Sequence, residues 1–84
     1  MAATDNIVKQ IILDISQLDG TINDIDPTSK LSGLGFNGNM CNSLAQRLNA
    51  SVQALKASAF VNNSEITSDM SVQDVMDLVT QKVN

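Results

Sequence analysis

Between Gly20 and Asn37 the chain loses every periodic signal yet keeps five large apolar residues, Ile22, Ile25, Leu31, Leu34 and Phe36. Pro27, Gly33, Asp24 and Asp26 break the segment into turns. A solvated loop has no use for so many apolar side chains. The segment is therefore expected to cross the body of the fold with Leu31, Leu34 and Phe36 inserted as anchors.

The chain on either side is periodic. In DNIVKQIILDISQLDG, Ile7, Ile11, Ile15 and Leu18 recur at helical spacing, and Val8 and Ile12 widen the stripe. Thr4 or Asp5 can cap its start and Gly20 can end it. Leu44, Leu48, Val52 and Leu55 mark a second helix reaching to about Ala59. It begins somewhere in residues 37–42, where Asn37, Asn39 and Asn42 are competing N-caps. NNSEIT, residues 62–67, predicts one short turn containing Ile66. Ser71 then opens a last helix, with Asp74 three residues on as in a capping box and Val72, Val75, Met76, Val79 and Val83 as the buried face. Met40, Met70 and Met76 read as core filler.

An 84-residue chain holds one core, so residues 1–84 are read as a single domain. Two Phe with no Trp or Tyr leave that core aliphatic, which suits packed helices better than a sandwich or barrel. The fold class expected is all-α: a small four-helix bundle of three main helices plus one short helix, with a long first loop.

The same residues exclude several functions. Five scattered Lys and Arg against nine Asp and Glu argue against nucleic acid and against an anionic membrane surface. Without His there is no Ser-His or Cys-His pair, and zinc sites are disfavoured, so neither catalysis nor a metal is expected. Asn23, Asp24 and Asp26 lack the glycine and distal Glu of a calcium loop and read as turn formers. Cys41 has nothing basic nearer than Arg47 and reads as a small buried residue. The opening MAATDNIVK has no basic-then-apolar leader, so a reduced, cytoplasmic setting and a monomer that meets other proteins are expected.

From the Ile stripe, through LSGLGF and the helix that follows, to SDMSVQDVMDLV, the chain resembles the acyl carrier protein family over nearly its whole length. The resemblance implies a non-catalytic carrier in fatty-acid, polyketide or specialised acyl transfer. In such a carrier, a serine at a helix start holds 4'-phosphopantetheine for synthase, transferase or ligase enzymes. The family shows Asp-Ser-Leu after its Leu-Gly pair; here stand Asn37, Gly38 and Asn39. The first serine beyond is Ser43, within Asn42-Ser43-Leu44.

Two registers follow. The family buries positions six, ten and fourteen residues past its serine. Counted from Gly38 these are Leu44, Leu48 and Val52; counted from Ser43 they are Asn49, Gln53 and Ala57. Ser43 instead keeps the family's spacing of 29 residues to the valine opening the last helix, Val72. Ser43 is thus the candidate attachment residue, and Gly38 the occupant of the alternative motif position. Residues 38–59 also lack the acids that carriers of this family show their partners; they hold Arg47 and Lys56. The alternative function is a serine-less homologue that binds or regulates proteins without a prosthetic group.

Overall fold

A computed structural model of the chain describes residues 3–17 and 19–84. Within them lie three α-helices, α1 (Ala3–Ser16), α2 (Gly38–Leu55) and α3 (Val72–Val83), joined by segments holding single 3₁₀ turns at Ile22–Asp24, Ser32–Leu34 and Asn63–Glu65. Among the described residues there is no strand, only one antiparallel bridge between Lys30 and Ser71. No helix there is long and apolar enough to cross a membrane.

Helix α1 packs against both α2 and α3. With a neighbour on each flank, the centre of its apolar stripe is what disappears from water. Val8 and Ile12 are fully buried and Leu13 nearly so, while Ile7, Ile11 and Ile15 are half-buried. The stripe is therefore centred one residue beyond the isoleucines that announced it. Leu18, counted in that stripe, lies outside the described residues. Thr4 and Asp5 are already inside the helix, so neither is its N-cap. The helix ends at Gln17, which adopts a left-handed φ of 57° while its N–H donates to the Leu13 carbonyl at 3.0 Å. Gly20, the expected stop, serves the next turn instead. Its φ of 122° and the nearby Asp24 carboxylate leave no room for a Cβ.

The crossover is pinned as its composition implies. Ile25, Leu31 and Phe36 are buried, and Ile22 and Leu34 half-buried. Its backbone is fastened to the approach of α3: Leu31 N–H to Met70 O, Ser32 N–H to Ser68 O, Val72 N–H to Ser29 O and Gln73 N–H to Pro27 O, each 2.9 Å. These bonds satisfy main-chain groups that a crossing loop would otherwise bury unpaired.

Helix α2 buries Cys41, Leu44, Ala45, Leu48 and Val52. It stops at Leu55, short of the expected Ala59, because Lys56 turns extended (φ −148°, ψ 107°). Leu55 is consequently turned out and 57% exposed, leaving the core stripe it was assigned to. The chain then alternates, with Ala59 and Val61 buried and Phe60 55% exposed between them. The fourth helix shrinks to the single turn Asn63–Glu65, boxed by Asn62 and Glu65 and followed by buried Ile66. Helix α3 begins as expected: Ser71 Oγ accepts from Asp74 N–H at 3.1 Å and Asp74 Oδ2 from Ser71 N–H at 3.0 Å. Val72, Val75, Met76 and Val79 are buried; Met40 and Met70 line the edge of the core.

Candidate functional site

The mouth of α2 is where both sequence registers meet. Leu31 and Phe36 fix the approach: Phe36 N–H donates to Leu31 O at 3.0 Å, and Gly35 makes the turn between them in a left-handed conformation (φ 88°). Asn37 is then extended and its Oδ1 accepts from Met40 N–H at 2.9 Å, so Asn37 is the N-cap and Gly38 the first helical residue. Of the three competing asparagines, the one following the buried Phe36 anchor wins.

Gly38 and Asn39 are exposed, and a Cβ built on Gly38 meets nothing within 4 Å. The amides of the first helical residues have no intrahelical acceptor, and no acid stands in the first turn to offset the positive end of the helix. This mouth can accept a side chain at residue 38 and can favour an anionic group beside it. Residue 38 itself carries no hydroxyl to react.

Ser43 lies in the second turn of α2, exposed to solvent and five residues past the helix start. The structure therefore puts the helix mouth at Gly38 and the first hydroxyl beyond it at Ser43, one turn inside the helix. Cys41, between them, is 4% exposed, and burial pushes its thiol pKa up, which disfavours the reactive thiolate.

The other candidates resolve into structure. Asp26 Oδ1 accepts from Thr28 N–H at 2.9 Å and from Thr28 Oγ1 at 2.8 Å, and these bonds, the backbone one first, hold its carboxyl below the usual range. Asp24 caps its own turn by accepting from Thr21 N–H at 2.8 Å. Among the described residues no three His, Cys, Asp or Glu side chains group to hold a metal.

One further surface feature was not signalled by the stripes. Helix α3 has a second face, Asp74, Asp77, Leu78 and Gln81, which with Met70 lines an open groove of about 600 Å³. Its sequence signal was Leu78, an apolar residue outside the valine stripe; in the structure it is half-buried and packs against the edge of the core. No family model, curated protein or solved structure matches this chain.

Proposed function

We propose that this protein is a non-catalytic module of the acyl-carrier type that works by docking onto other proteins, with Gly38 standing where a carrier would hold its modifiable serine. One observation carries the reading: α2 is capped by Asn37 and begins at Gly38. Leu44, Leu48 and Val52, six, ten and fourteen residues on, are all fully buried. That is the spacing the resemblance assigns to a serine at residue 38. Its partners would be synthase, transferase or ligase enzymes of an acyl-transfer pathway, met by a cytoplasmic monomer.

A second reading keeps the prosthetic group and puts 4'-phosphopantetheine on Ser43. Its exposure and its distance to Val72 support it. Incubation with coenzyme A and a broad phosphopantetheinyl transferase, followed by intact mass, separates the two. The first reading expects no added mass on the wild type. It expects one arm at residue 38 in the triple variant Asn37→Asp, Gly38→Ser, Asn39→Leu, which the open space at Gly38 accommodates. A wild type modified at Ser43 beside an unmodified triple variant would overturn it.

A further inference from the structure

The charges of this chain are segregated along its length. Residues 27–64 hold Lys30, Arg47 and Lys56 and no acid. Residues 57–81 hold Glu65, Asp69, Asp74 and Asp77 and no cation. A partner that approached α2 with a basic patch would meet Arg47 and Lys56, and like charges repel. A basic partner therefore finds its acids off α2, on α1, the crossover and α3; on α3 only the C-terminal end meets a cation of the α2 side, where Lys56 Nζ donates to the Asn84 carbonyl at 3.0 Å.

Of these elements, α3 has a shape suited to such a partner. Residues 74, 77, 78 and 81 fall at the i, i+3, i+4, i+7 spacing of one helical face, and Met70, in the turn just before the Ser71 cap, lines the same groove. The opposite face of α3 is committed to the core through Val72, Val75, Met76 and Val79. Met70 and Leu78 are half-buried and give the groove an apolar floor, while the exposed carboxylates of Asp74 and Asp77 rim it. Lys82, the next cation along the helix, is held by Glu65 at 2.9 Å.

We infer that this α3 groove docks a basic amphipathic helical segment of a partner protein: its apolar side chains settle on Met70 and Leu78, and its Lys or Arg pair with Asp74 and Asp77. An apolar floor with a rim of one charge sign is the arrangement by which a groove accepts an amphipathic helix of the opposite sign. The inference goes beyond the reading of the α2 mouth and does not depend on whether an arm is attached. The mass assay and the test below fail separately.

The probe is a synthetic amphipathic helical peptide of Lys and Leu, titrated at low salt into the ¹⁵N-labelled full chain while amide shifts are followed. Two control peptides replace every Lys by Glu or every Leu by Ser. The expected result is saturable shift changes centred on residues 70–81, absent with the Glu peptide and about tenfold weaker with the Ser peptide. Asp77→Lys should weaken binding about fivefold, since its exposed pair is turned from attraction to repulsion. Asp74 is left intact because it closes the capping box of α3. If that variant loses its helical circular dichroism, Asp77→Asn serves instead, with a loss of about twofold expected. Shift changes centred on residues 38–59, equal binding of the Glu peptide, no binding of the Lys-Leu peptide, or variants that bind as the wild type does would each overturn the inference.

Discussion

The two phenylalanines form a matched pair of perturbations. Phe36 is 5% exposed and closes the crossover at the mouth of α2; Phe60 is 55% exposed on the segment after it. Phe36→Ala removes a buried ring from a crossover whose backbone is fastened at Leu31 and Ser32, which restricts collapse around the space left. The cost of such a truncation is about 3 kcal/mol or somewhat more. Phe60→Ala removes a ring already half in water and should cost within about 0.5 kcal/mol. With a urea slope of about 1 kcal/mol/M for a small domain, the midpoint should fall by about 3 M for Phe36→Ala and by less than about 0.5 M for Phe60→Ala. In thermal melts the first change corresponds to a loss of at least about 12 °C. The chain has no Trp or Tyr, so far-UV circular dichroism is the readout rather than fluorescence. Equal shifts for the two variants, or an unmoved midpoint for Phe36→Ala, would refute the claim that the crossover is pinned at residue 36.

Ser71→Ala removes the acceptor for Asp74 N–H and should cost about 1 kcal/mol in the same urea assay, with Ser71→Gly losing less. Glu65 is held below its ordinary value of 4.5 by the Asn62 N–H and by Lys82. A depressed carboxylate stabilises the fold above its unfolded pKa, and that contribution is lost as pH falls through the folded one. Urea midpoints of the wild type should therefore fall more steeply below about pH 4.5 than those of Glu65→Gln. Cys41 should react with a thiol reagent such as Ellman's only at the rate of unfolding, measured by comparing native protein with protein in high urea.

The elements that were plain in the sequence are those whose signals are redundant. Helix α3 carries a cap, a box and an uninterrupted valine stripe, and all three agree. The crossover was legible because apolar residues among turn formers admit only one explanation. Reading became ambiguous where a single cue had to decide. Three asparagines could each cap α2; the choice of Asn37 follows from the Phe36 anchor and the left-handed Gly35, which are tertiary facts. Leu55 kept helical spacing but left the core because Lys56 turns extended before the stripe is complete. The centre of α1 shifted to Val8 and Ile12 because two neighbours, not one, cover it. At the α2 mouth, sequence spacing supported two registers because loop length and core stripe gave different counts, and only the position of the cap distinguishes the helix start.

The four backbone bonds that join residues 27–32 to 68–73 also tie a ring. Everything from Lys30 to Ser71, including all of α2, lies inside a loop closed without a covalent bond. Closing a flexible loop of that size costs about 3 kcal/mol of chain entropy, and helices alone do not offset it. The price falls on the folding barrier: α2 can form locally and fast, but the ring must close before Leu31 and Val72 can be sealed together. Helix α1 stands outside the ring in sequence, but it packs on both α2 and α3 and buries Val8 and Ile12 completely, so the ring's core is covered only when α1 is in place. The core is thus closed from two directions, by a backbone clasp at one edge and by α1 laid across the enclosed helices, and in a domain this small both closures belong to one cooperative transition.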